Sequence, residues 1–172
     1  MNHLEQLVAE WLQYNEYFVR TSVQVGPRDH GGYEGELDVI GLHLARNHLV
    51  HIECSLDADS GPKRQAKFKS KFERGRKFIK TVSAFKVLDL PEPEQILVLQ
   101  FTSGKVREIG GVRVVTVREF VHEVFYGLKE TSPQSQAVPS NLPLLRTLQL
   151  AADAFAKGIL TEHRILRSDQ PK

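Results

Sequence analysis

The chain has 172 residues, 41% of them hydrophobic and 26% charged, a length and balance that suit one compact domain. Its one cysteine, Cys54, excludes a disulfide framework and a cysteine-rich zinc site. No apolar run approaches the roughly 20 residues of a membrane-crossing helix, and 23 basic against 21 acidic residues leave a net charge of only +2.

His3 to Glu16 reads as a helix, with Leu4, Leu7, Val8, Trp11 and Leu12 on one apolar face. Glu5 and Glu10 stand where a secretory leader would be basic and then apolar, so the expected location is the cytoplasm. The aromatic and β-branched run Tyr17 to Val25 predicts a strand that stops at Gly26-Pro27. Arg28 to Gly35 (RDHGGYEG) reads as a polar, glycine-rich loop. Two further strands, Glu36 to Leu42 and Leu49 to Ser55, form a hairpin around Ala45-Arg46-Asn47. A long helix is expected from Lys63 to Thr81, then a strand at Gln95 to Phe101 and a turn at Ser103-Gly104. A strand at Val112 to Val117 and a helix from Arg118 to Gly127 follow. Thr131 to Pro143 is rich in Pro, Ser and Gln and reads as a linker, and Leu144 to Leu160 as an amphipathic helix.

This order, α-β-β-β-α-β-β-α with a C-terminal helix, predicts an α/β fold with helices packed over a mixed sheet. The expected division is a core at 1–129, a linker at 130–143, a helix at 144–160 that packs on the core or on a dimer partner, and a polar tail at 161–172.

Strand alternation puts Asp38 on one side of the hairpin and Glu53 nearly opposite, both able to share a face. Adjacent carboxylates repel unless a proton or a hard cation lies between them, and magnesium takes one or two carboxylates plus water and phosphate oxygens. The plainer reading is a wet hairpin face. Against it, Leu37, Val39, Ile40, Val50 and Ile52 make both strands look buried, where carboxylates need a partner. Glu36 is a substitute ligand or a solvated residue at the strand's start.

The net charge hides a strong asymmetry. From Lys63 to Lys80 (KRQAKFKSKFERGRKFIK) there are nine basic residues and one acid, Glu73, a net of +8 that leaves −6 on the remainder. Phe68, Phe72, Gly75 and Ile79 form a narrow stripe that can dock this helix on the sheet, while Lys63, Lys67, Lys71 and Arg74 run down another face. A solvated helix surface usually mixes signs; a row of one sign is the footprint of a phosphate-backbone binder.

With these residues in place, Leu4 to Gly127 resembles the PD-(D/E)xK nuclease superfamily, most of all its Holliday-junction-resolvase and Mrr-type restriction branches. The resemblance implies a restriction-endonuclease-like fold and an endonuclease that cuts DNA with Mg²⁺ (or Mn²⁺). LEQLVAEWLQYNEYFV is similar to the family's first helix, with Glu5 at its acidic position. GELDVIG supplies the metal-binding acid as Asp38, and HIECS the second ligand as Glu53, with the backbone carbonyl of Cys54 as a further ligand. The lysine of the E-x-K element is replaced by Ser55. A lysine from the following helix would have to replace it, Lys63 and Lys67 being the nearest in sequence, with Gln65 as a polar companion. Lys63, Arg64, Lys67, Lys71 and Arg74 would hold the DNA backbone, and a homodimer would suit cutting of both strands.

The alternative is a catalytically weak or inactive DNA-binding or assembly module on the same fold, which Ser55 favours. A Cys54 nucleophile with His51 is disfavoured because the two side chains point to opposite faces of one strand. His30 and Tyr33 in the glycine-rich loop read as surface residues or substrate contacts. A two-carboxylate glycosidase would leave the +8 helix without a role.

Overall fold

The protein is described by a computed structural model covering residues 1–59, 61–82, 89–100 and 106–158. The Ser103-Gly104 turn, Phe101, the last two residues of the expected C-terminal helix and the tail lie outside these residues. The chain divides into two compact units, Met1–His122 and Glu123–Lys172, with the division falling inside a helix.

In the first unit α1 (His3–Tyr14) is followed by β1 (Phe18–Pro27), β2 (Tyr33–His43) and β3 (His48–Ser55). Next come α2 (Gly61–Phe78), β4 (Glu94–Leu99), β5 (Glu108–Ile109), β6 (Val112–Thr116) and the start of α3 (Val117–Leu128). The six strands form one mixed sheet in the order β1-β2-β3-β4-β6-β5. β1, β2 and β3 are antiparallel neighbours, β4 runs parallel to β3 and to β6, and β5 returns antiparallel on β6. The α/β class and mixed sheet expected from the sequence are therefore present.

α1 starts in a capping box. The Asn2 side chain accepts the backbone N–H groups of Leu4 and Glu5, and Glu5 in turn accepts that of Asn2 at 3.0 Å. Its buried Leu4, Val8 and Leu12 face the sheet, where a Cβ on Gly41 would stand 3.1 Å from Leu12. α2 carries almost the whole basic segment yet docks through Phe68 and Phe72, which pack with Leu97, Leu99, Ile109, Val112 and Val114. Below its end, Ile79 joins Val23, Val25, Leu37, Ile40, Leu42 and Leu49.

Most boundaries shift by one or two residues, and three departures from the sequence reading are larger or change the element count. β2 starts at Tyr33 rather than Glu36, because Gly35 and Tyr33 pair with Val25 and Pro27 and extend the ladder into the expected loop. The α-helix ends at Phe78 and tightens into a 3-10 turn over Ile79–Thr81. β5, only two residues long, is too short to leave a periodic signal.

In the second unit α4 (Pro143–Ala156) starts on a proline at its first turn, and the expected linker contains a short 3-10 turn at Pro133–Ser135. Gln149, buried on α4, donates to the carbonyls of Thr131 and Ser132 at 3.2 and 3.4 Å. The Phe125 and Phe155 rings meet edge to face at 5.4 Å. No helix among the described residues is long and apolar enough to cross a membrane.

Candidate active site

β2 and β3 pair from His43↔His48 as far as Val39↔Ile52. One step further along the same register stand Asp38 and Glu53, and here a side chain takes over from the ladder. Asp38 Oδ2 accepts the backbone N–H of Cys54 at 2.9 Å. Both carboxylates are buried, Asp38 at 6% exposure and Glu53 at 0%. They lie on the face of the sheet covered by α2, towards the C-terminal end of β3, where ligands of open α/β sheets commonly bind.

Lys71 of α2 fills the gap between the acids. Its Nζ donates to Asp38 Oδ1 at 3.1 Å and makes a short contact with Glu53 Oε2. Its side chain keeps 25% exposure, so the ammonium stands at the rim while the acids lie beneath it. Lys63 and Lys67, the lysines nearest in sequence, are engaged elsewhere. Lys63 pairs with Asp59 at 2.8 Å, and Lys67 with Asp57 at 2.5 Å and Asp59 at 3.4 Å. The lysine that meets the carboxylates is thus two helical turns beyond Lys63.

Electrostatics separate the two acids. Burial, aided by the Glu53 charge, pushes the Asp38 carboxyl up to about 7, although Lys71 and the Cys54 N–H pull it down. Burial also acts against the Glu53 charge, but the hydrogen bond from His51 and the Lys71 ammonium outweigh it and hold Glu53 below the usual carboxylate range. Lys71 pays a burial penalty too, which the Glu53 and Asp38 carboxylates exceed, so it titrates above an ordinary lysine. Burial first, then the Asp38 and Glu5 charges, drives the Cys54 thiol upward. A thiol so held is a poor nucleophile, in line with its reading as a small core residue.

Other expected site residues have different tasks. Glu5 is close enough to raise the Cys54 thiol, but its carboxylate closes the capping box with Asn2 and lies 3.7 Å from the chain's N-terminal amine. Gln65 Oε1 accepts the N–H of Gly110 at 2.5 Å, which fixes the β5–β6 turn against α2. Arg64 reaches the Asp57 carbonyl at 3.4 Å, and Arg74 lies over Gly35 of β2. The basic face is therefore not one uniform row. Lys63, Lys67 and Lys71 meet acids, whereas Lys69 and Arg74 make no ion pair among the described residues. Glu36 is exposed at the start of the buried stretch.

Two residues take a part in the carboxylate site that the sequence reading did not assign them. His51, fully buried on the same strand face as Glu53, lies 2.9 Å from Glu53 Oε1 through Nε2. Gln95, paired with His51 across β3 and β4, reaches the other ring nitrogen at 3.2 Å. Strand alternation puts His51 and Glu53 on one face, and the apolar neighbours mark the strand as buried; the contact from Gln95 of β4 had no signal in the sequence.

As to a metal, the donor set is two carboxylates of adjacent strands with the Cys54 backbone beside them, all hard oxygen donors apart from the thiol, which points away. Donors of this type suit Mg²⁺ or Mn²⁺, and the gap between the two carboxylates is occupied by the Lys71 ammonium. Among the described residues no three His, Cys, Asp or Glu side chains converge as a metal-binding group, so a cation would complete its shell with carbonyl, water or substrate oxygens.

No protein-family model and no curated protein matches the chain. Among solved structures, a protein of unknown function, AF1548, aligns over 90% of this chain and 97% of its own at 12% identity. The TM-score of this alignment is 0.44.

Proposed function

We propose that the protein is a Mg²⁺- or Mn²⁺-dependent endonuclease that hydrolyses DNA phosphodiester bonds at a site of the PD-(D/E)xK type. The observation that carries this reading is the Lys71 amine bridging Asp38 and Glu53. Ser55 leaves the E-x-K element without its lysine, and Lys71 brings an ammonium to the same two carboxylates from the helix that follows.

Asp38, Glu53 and the Cys54 carbonyl would hold the cation, which activates water and offsets the charge of the scissile phosphate when bound. The chain's own groups account for the remainder. Asp38, with a proton affinity near neutrality, can release its proton in exchange for a cation at little cost. Lys71, charged at neutral pH and partly exposed, offsets charge building on a phosphate oxygen and orients a water by donation. Lys69, Arg74 and Arg64 extend the positive surface along α2 for the DNA backbone. A cytoplasmic location accords with the lone reduced cysteine and with DNA as the substrate.

The test is cleavage of supercoiled plasmid and branched DNA with Mg²⁺ or Mn²⁺. Wild-type protein is expected to nick or linearise DNA, and Asp38→Ala and Glu53→Ala to lose this activity. Cleavage that survives either substitution overturns the metal-site assignment. DNA binding with neither cleavage nor metal affinity makes the protein a binding module instead.

A further inference from the structure

We infer that His51 is a positioning residue that sets the orientation of the Glu53 carboxylate through a hydrogen-bond chain running from Arg76 on the surface through Gln95. The chain has a fixed direction. Arg76 Nη1 can only donate, so the atom it meets at 2.5 Å, Gln95 Oε1, is the amide oxygen. The Phe72 carbonyl can only accept, so the atom 2.9 Å from it, Gln95 Nε2, is the amide nitrogen. Two independent partners thus orient the amide the same way. The second Nε2 hydrogen then points to His51 Nδ1 at 3.2 Å, which makes Nδ1 the acceptor and leaves the ring proton on Nε2. That proton is donated to Glu53 Oε1 at 2.9 Å.

The ring has no room to turn. It packs edge to face on Phe72 at 5.4 Å, and a Cβ on Gly75 would collide with it. Glu53 therefore has one oxygen committed to His51 and the other, Oε2, presented to Lys71. A carboxylate held in this way would offer Oε2 to a cation without rotational cost. Groups that orient a ligand typically contribute 10–100-fold in metal affinity or activity. The inference rests on the reading of Asp38 and Glu53 as the cation-holding pair, and it names a device that the E-x-K element itself does not contain.

The experiment uses the full chain and Mn²⁺ as the probe. His51→Leu removes the donor, His51→Gln keeps an N–H of similar reach, and Gln95→Met removes the group that sets the tautomer. Expected results are a 10–100-fold weaker Mn²⁺ affinity for His51→Leu, recovery to within about 5-fold for His51→Gln, and a lower kcat with unchanged KM for DNA. Equal Mn²⁺ affinity in wild type and His51→Leu overturns the inference, as does a folded His51→Gln as impaired as His51→Leu. ¹⁵N NMR of the His51 ring supplies a readout independent of function. Protonated Nε2 with bare Nδ1 in wild type, lost in Gln95→Met, supports the chain; a protonated Nδ1 in wild type overturns it. A wild-type protein that binds no Mn²⁺ and cuts nothing refutes the nuclease reading, and the NMR result still decides whether His51 orders Glu53.

Discussion

Asp38 and Glu53 face each other across two strands, yet their proton affinities diverge because their partners differ. Glu53 has two strong donors, His51 and Lys71; Asp38 shares Lys71 and adds only a backbone N–H. Burial, aided by the Glu53 charge, is therefore not outweighed at Asp38, which titrates at about 7 in the folded chain against an ordinary 3.8 when unfolded. The folded state holds the extra proton between these values, so the contribution of Asp38 to metal-free stability falls as pH rises from about 4 through 7. Asp38→Asn should flatten that slope and raise stability at pH 8 by roughly 1–3 kcal/mol. Urea unfolding with a chelator at pH 5 and pH 8 measures this, and an unchanged slope contradicts the assignment. For catalysis, Lys71→Met is expected to reduce cleavage at least about 100-fold. Lys63→Met and Lys67→Met, whose charges are engaged by Asp57 and Asp59, should lose less than about 5-fold. Comparable losses at all three positions would remove Lys71 from its special place.

At the scale of elements, α2 does two jobs with two faces. Phe68 and Phe72 seat it on β4, β5 and β6, and that seating decides which lysine stands above the acids. Gly75 allows the close approach, since its missing Cβ is the space taken by the His51 ring. Gly75→Ala would gain helix propensity but overpack this contact, so a net loss of about 1–3 kcal/mol is expected. The loss should be accompanied by weaker cleavage, because the ring it displaces holds Glu53. Stability and activity both equal to wild type would show that the helix yields without disturbing the site.

Across the whole molecule, the +8 of the basic segment is partly neutralised within the fold. Asp57, Asp59, Glu34 and Glu92 pair with Lys67, Lys63, Lys77 and Lys80. Exposed pairs of this kind contribute little to stability, and they compete with phosphate for the same ammonium groups. DNA affinity should fall steeply with salt, with a slope smaller than nine charges would suggest. Lys69→Gln and Arg74→Gln should each lower the log–log salt slope by about 1, and Lys67→Gln by less. Fluorescence anisotropy between 50 and 200 mM salt tests the ranking, and equal changes at all three would show that the internal pairs open on binding.

The sequence by itself determined the layout. Alternation marked the hairpin and put Asp38 opposite Glu53, the Phe68–Phe72 spacing marked the docking face of α2, and the order of elements specified a mixed α/β sheet. The alternation and the Phe68–Phe72 spacing are local properties set by the period of the chain, and a single short turn carries the alternation from Asp38 to Glu53. The start of β2 was misplaced because a glycine-rich stretch reads as a loop unless a partner strand, here β1, gives it a ladder. The choice of Lys71 over Lys63 and Lys67 was decided only in three dimensions. All three lie on one helical stripe, and which amine meets the carboxylates depends on where the helix axis crosses β3. The relay from Arg76 to Glu53 was likewise invisible, since it joins residues from two strands and a helix that only the packed sheet brings together.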